Sequence, residues 1–193
     1  MRKEDNGAWH LPKDFTELSI ADQVKLIEQT ATAIMNEHGG KKVLSFNLNQ
    51  EQASEPATLG EIIALKNEIS PISLIIELTE AMPLDQIKDF SLLLHQNDIE
   101  LVIDDVGTGS NTFDNVKNLL PYVDKIKFAM QNLRMEGRAE KIPEYLAFWV
   151  QQAKRNSLDM ILEGVEDAKD QLIAKKFGIS IQQGYLYGKP AMV

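Results

Sequence analysis

Six short apolar runs, each closed by a carboxylate, amide or amine, constrain this chain more than any other feature. They are Val43–Leu48, Ser73–Leu78, Leu101–Asp104, Lys125–Phe128, Met160–Leu162 and Ser180–Leu186. Runs this short, bounded by turn residues, read as buried strands. Between them the apolar spacing changes to three and four. Val24, Ile27, Ala31, Ile34 and Met35 share one helical face ahead of Gly39–Gly40, and further helices fit Leu84–Gln96, Thr112–Leu120, Ala139–Asn156 and Asp167–Phe177, the last stopped by Gly178. Strands that alternate with helices predict parallel pairing through right-handed crossovers. An open doubly wound sheet and a (β/α) barrel both satisfy that pattern. No G-x-G-x-x-G follows the first strand, and the polar residues gather at strand C-terminal ends, as at the mouth of a barrel. A complete barrel needs eight strands, so the expected fold is an α/β, (β/α) TIM-type barrel with its first strand or strands missing.

Composition narrows the chemistry. At 193 residues, the length suits a single domain over 1–193. The absence of cysteine excludes disulfides, thiol catalysis and thiolate metal sites. A net charge of −9 without a basic stripe argues against a nucleic-acid polymer as partner. No apolar run reaches the length of a membrane span, and the first twenty residues lack a signal-peptide core, so the expected location is the cytoplasm. His10, His38 and His95 avoid the predicted strand ends, which leaves no serine–histidine nucleophile.

At the strand ends stand Asn47, Glu77 with Glu80, Asp104 with Asp105, Lys125 with Lys127, Glu163 with Glu166, and Gln183. Oxygen donors of this kind suit hard cations such as Mg²⁺ or Mn²⁺. Two such ions about 4 Å apart clamp a phosphodiester for hydrolysis, and a lysine offsets charge on its oxygens. Singly, each residue has a plainer use: Glu80 and Glu166 as first-turn acids, Asn47 as a turn cap, Gly107 and Gly109 in a tight turn. The coincidence at six strand ends favours a site.

The ordered motifs FNLNQEQ, IELTEAM, IDDVGTGSNTF, DKIKF, LEGVED and QQGYLYGKP resemble those of the EAL domain, the bacterial cyclic di-GMP phosphodiesterase family, over essentially the whole chain. The resemblance implies a modified barrel, two divalent ions, cyclic di-GMP as ligand, a linear dinucleotide product and a homodimer formed through the segment after the paired aspartates. It makes Asn47, Glu77 and Asp104 ligands of a first metal and Asp105 a ligand of the second. Glu80 would support the loop after Asp105, and Lys125 would stand near the attacking water. Glu163 would be the general base, while Glu166 and Gln183 would line the pocket and Arg2 contact a phosphate.

Two departures qualify that reading. The E-A-L triplet, whose glutamate is a first-metal ligand, is absent, and Met1-Arg2 stands about where it should just have ended. The family's K-I-D reads Lys125-Ile126-Lys127, with an ammonium in place of a metal-binding aspartate. Residues two apart on a strand face the same way, so Lys127 is expected to share the mouth with Lys125 and to face Asp105. At an effective dielectric constant near 20, a unit charge facing a dication at about 4 Å costs roughly 8 kcal/mol, which makes Lys127 a predicted disabling substitution. The expected function is a catalytically impaired EAL-like domain that binds cyclic di-GMP or a protein partner. The alternative is an active metal-dependent phosphodiesterase.

Overall fold

The computed structural model describes residues 3–5, 8–10, 19–35 and 41–189, the first two segments by backbone alone. Strands β1 (Lys3–Asp5) and β2 (Ala8–His10) form a small antiparallel pair. Helix α1 (Ile20–Met35) leads into β3 (Val43–Leu48), followed by α2 (Gln50–Ser54) and α3 (Thr58–Glu68). Then come β4 (Ser73–Leu78), α4 (Leu84–His95), β5 (Glu100–Ile103), α5 (Phe113–Val116) and β6 (Lys125–Ala129). The chain continues through α6 (Met130–Met135), α7 (Ile142–Arg155), β7 (Asp159–Glu163), α8 (Ala168–Phe177) and β8 (Ile181–Gln183).

Strands β3 to β8 make one parallel sheet in sequential order, curled into a half-barrel with helices along its outer face. Strand alternation divides the residues between two sides. Phe46, Leu48, Leu74, Ile76, Leu101, Ile103, Ile126, Phe128 and Leu162 are buried in the hydrophobic core, with Ile62, Leu65, Ile87, Leu146 and Trp149 from the helices. The intervening residues, among them Asn47, Glu77, Val102, Lys125, Lys127, Ala129, Ile161 and Glu163, take the concave face. At the β3 edge that face is open, and Val43, Ser45 and Asn47 are exposed.

The parallel sheet and its strand order agree with the sequence reading, while several boundaries move. The expected Ser180–Leu186 strand keeps only Ile181–Gln183, because the chain turns at Gly184 and continues through 185–187. The helix expected over Thr112–Leu120 is reduced to α5 and a separate 3-10 turn at Leu120–Tyr122. Three helices were not expected: α2, α3 and α6. Helix α2 had a readable signal, since Asn49 accepts from the Gln52 amide and the Gln52 side chain returns to the Asn49 amide. Arg2 and His38 lie outside the described residues.

Candidate functional site

The polar residues of the concave face meet around a buried ammonium. Lys127 lies mid-strand on β6, and its Nζ stands 2.5 Å from Glu77 Oε2, 3.5 Å from Asp104 Oδ1 and 3.9 Å from Glu163 Oε2. Its side chain is only 4% exposed and that of Glu77 8%. A charge so enclosed persists because carboxylates from three neighbouring strands or strand ends surround it. Burial works against the Lys127 ammonium, but Asp104, Glu77 and Glu163 hold its pKa above the usual lysine value.

Asp104 and Asp105 follow β5 directly. The Asp104 amide donates to the Leu78 carbonyl at 2.9 Å, extending the β4–β5 ladder past the end of the strand. Burial, more than any other cause, pushes the Asp104 carboxyl up to about 7; Lys127 opposes the rise, while Asp105, Glu77 and Glu163 add to it. Burial also raises Asp105 and Glu163. The chain turns at Asp105 with a left-handed φ of 50°, which aspartate tolerates better than most residues. Gly107 completes the turn at φ 92°. A Cβ there would lie 2.6 Å from the Trp149 indole nitrogen, so this close approach requires glycine. Asn111, 1% exposed, fastens the loop: its Nδ2 donates to the Asp104 carbonyl at 2.6 Å and to Thr79 O at 3.1 Å, while its own carbonyl accepts from Gly107 N.

One oxygen from each of Asp104, Asp105 and Glu163 lies within 4.8 Å of the others. Hard oxygen donors with that convergence fit a divalent cation. Carboxylates outnumber the single ammonium, and a cation would relieve the burial and mutual repulsion that raise Asp104, Asp105 and Glu163. Glu77 is differently placed: Lys127 already neutralises it.

This grouping revises the expected one. Lys125 does not share the mouth. It lies two residues nearer the N-terminal end of β6, about 6.6 Å at strand rise, and pairs with Glu100 at the start of β5. Asp105 does not face Lys127 at ion-pair distance, since Asp104 does; Asp105 Oδ1 instead accepts from Asn132 Nδ2 at 3.0 Å. Glu80 is exposed, and its carboxylate accepts from the Gln50 amide at 3.4 Å; Asn111 fastens the loop after Asp105. Asn47 pairs in register with Glu77 but is exposed at the open edge, and Gln183 is exposed beside Glu163 in the β7–β8 register. Glu166 is exposed and stands 3.7 Å from Arg134. Asn111, Asn132 and Arg134 escaped the sequence reading because none lies at a strand end; Asn132 and Arg134 belong to the unforeseen α6.

His95 lies far from the carboxylates in the fold: its Nε2 meets Asp124 Oδ2 at 2.9 Å, joining the end of α4 to the start of β6. No helix of the described residues is long and apolar enough to cross a membrane.

Comparison with known proteins agrees with the fold. The "Cyclic di-GMP phosphodiesterase PdeL" of Escherichia coli K12 is 32% identical over 137 residues, covering 67% of this chain and 37% of that protein. The "Probable cyclic di-GMP phosphodiesterase PdeG" of the same organism is 25% identical over 97% of this chain and 39% of its own length. The chain thus spans less than two fifths of these curated relatives. The solved structure of the PaMucR phosphodiesterase in complex with c-di-GMP superposes with a TM-score of 0.74 at 18% identity, covering 97% of this chain and 81% of that one. The Xanthomonas citri FimX EAL domain, also with c-diGMP, gives 0.72 at 16% identity, covering all of this chain and 80% of the other. At such identities the structures speak for the fold alone. The EAL domain family profile matches residues 11–190, and the chain belongs to the EAL domain family.

Proposed function

We propose that this domain binds cyclic di-GMP at the carboxylate-lined mouth, with one Mg²⁺ or Mn²⁺ held by Asp104, Asp105 and Glu163, and that its phosphodiesterase activity is impaired. The observation that carries the proposal is the place of Ala129. Lys127 is the lysine at the carboxylates, so the K-I-D pattern falls on Lys127-Phe128-Ala129 rather than on Lys125-Ile126-Lys127. In either frame the aspartate is absent. Ala129 pairs in register with Glu163, so its Cβ leaves the sheet on the same side as that carboxylate. A methyl group supplies no ligand where a second cation would need one.

In this reading Lys127 is the site's own counter-charge and not the disabling residue, which is Ala129. Glu163 here holds the cation, whereas in an active enzyme it would be the general base that the resemblance implies. Asn47, Glu166 and Gln183 supply contacts to the ligand around the cation. The reading includes a cytoplasmic location and a homodimer through the segment after Asp105. The retained Asp104, Asp105, Glu163 and Lys127 favour a second reading, an active phosphodiesterase working with fewer metal ligands.

One assay separates the two. Purified protein is incubated with cyclic di-GMP and Mn²⁺, the linear dinucleotide is followed by chromatography, and binding is measured by calorimetry. Binding without product above the buffer rate is expected, as is tighter Mn²⁺ binding by Ala129→Asp. Sustained turnover by the parent protein would overturn the impairment, and an absence of binding would overturn the ligand assignment.

A further inference from the structure

Helix α6 is only six residues long, yet its side chains reach both acidic loops of the site. Asn132 Nδ2 donates to Asp105 Oδ1 at 3.0 Å and to Thr108 Oγ1 at 3.2 Å, while Thr108 Oγ1 donates back to the Asp105 carbonyl at 2.9 Å. One amide therefore ties the carboxylate and the turn that carries it. Two residues further on, Arg134 spreads its guanidinium over the loop after β7. Nη1 donates to Gly164 O at 2.8 Å and Nη2 to Asp170 Oδ1 at 2.6 Å. The other Asp170 oxygen accepts from the Glu166 amide at 2.8 Å, closing a ring through Gly164-Val165-Glu166, directly after Glu163. Asp170 is buried, and the guanidinium divides its two nitrogens between that carboxylate and the Gly164 carbonyl, a charge-assisted grip on the loop. Gly164, at φ 78°, lets the loop touch α6: a Cβ there would meet the Gln131 side-chain oxygen at 2.2 Å.

We propose that Asn132 and Arg134 are positioning residues, fixing Asp105 and Glu163 at the mutual distance a divalent cation needs. Asp105 lies in the loop after β5, Glu163 ends β7 directly before the loop that α6 grips, and β6 with α6 lies between them in the sheet order. A short helix gripping both loops sets their spacing. Loss of a partner that orients a metal ligand in this way commonly costs about 10- to 100-fold in affinity. The inference rests on the proposed cation at Asp104, Asp105 and Glu163.

The test uses the full chain with Mn²⁺ alone, titrated by electron paramagnetic resonance, together with amide hydrogen exchange without metal. Asn132→Leu removes the donor at similar volume, and Arg134→Lys keeps the charge but not the fork. Each is expected to weaken Mn²⁺ binding about tenfold, while an exposed control, Lys169→Met, leaves it unchanged. Exchange should quicken at Gly107 and Thr108 in Asn132→Leu and at Glu166 in Arg134→Lys. Should either variant misfold, Asp170→Asn and Asn132→Gln carry the same readouts. Unchanged exchange in these loops, or affinities within about twofold of the parent in both variants, would overturn the proposal. If the parent takes up no Mn²⁺, the cation assignment fails by itself, and the exchange rates alone decide the role of α6.

Discussion

Replacing Lys127 by methionine should cost more stability than any other single charge removal at the site. The ammonium is 4% exposed and lies 2.5 Å from Glu77 and 3.5 Å from Asp104, which are 8% and 13% exposed. Methionine fills nearly the same volume but leaves Glu77 buried without its counter-charge. Breaking a buried pair from one side costs about 3–5 kcal/mol, and in a chain of this length each kilocalorie lowers Tm by about 2–4 °C. The expected fall is therefore about 6–20 °C, followed by circular dichroism at pH 8 in chelator. Glu77 is the most buried of the three carboxylates around the ammonium, so Lys127→Met with Glu77→Gln should regain part of the loss, while Asp104 and Glu163 still lack their counter-charge. Lys125→Met supplies the contrast. Its partner Glu100 is 43% exposed, so removing the ammonium leaves no buried carboxylate and should cost only about 1 kcal/mol. A fall for Lys125→Met that equals or exceeds that of Lys127→Met would refute the assignment of Lys127 as the site's ammonium.

The pH dependence has a definite sign. The Asp104 carboxyl is raised from 3.8 to about 7 in the fold, so the native state prefers it protonated; the stability this contributes is present below about 4 and is lost as pH rises to 7. In chelator, Tm should drop between about pH 4 and 7, and Asp104→Asn should remove up to about 4 kcal/mol of that drop; an equal drop in the variant would discount the burial of Asp104. Since a cation needs the carboxylate ionised, Mn²⁺ affinity should rise through the same pH range, and calorimetry in buffers of different ionisation enthalpy should detect the released proton. Gly107→Ala forces a side chain against the Trp149 indole at a positive φ, and should cost about 2–4 kcal/mol with a shift in tryptophan emission; an unshifted spectrum and unchanged melting would contradict the close approach.

Much of the architecture was legible because burial imposes a period. The runs around Ile76, Leu101 and Leu162 are continuously apolar since core and concave face are both largely dry, and the parallel order follows from the helices between them. The carboxylates of the site were legible for a similar reason: in a parallel sheet, residues at strand C-terminal ends converge. Glu77, Asp104, Asp105 and Glu163 stood out without any knowledge of distance. Helix α3 was not legible because its apolar residues are only weakly segregated, and α6 because it begins at the residue directly after β6.

Which lysine serves the site was beyond the sequence. Lys125 and Lys127 have the same chemistry and leave the strand on the same side, and periodicity cannot separate them. The tertiary structure separates them by height along β6: one step of two residues takes an ammonium from the carboxylates of Glu77 and Asp104 to Glu100 at the other end of the sheet. With that choice the partner of Asp105 also changes. The sequence determined that two adjacent carboxylates must find positive or hydrogen-bonding partners, because burial of bare charge is costly. Only the packing of α6 against the loop decided that an amide, Asn132, holds Asp105 while Lys127 answers Asp104 and Glu77, since donors distant in sequence are selected by geometry alone.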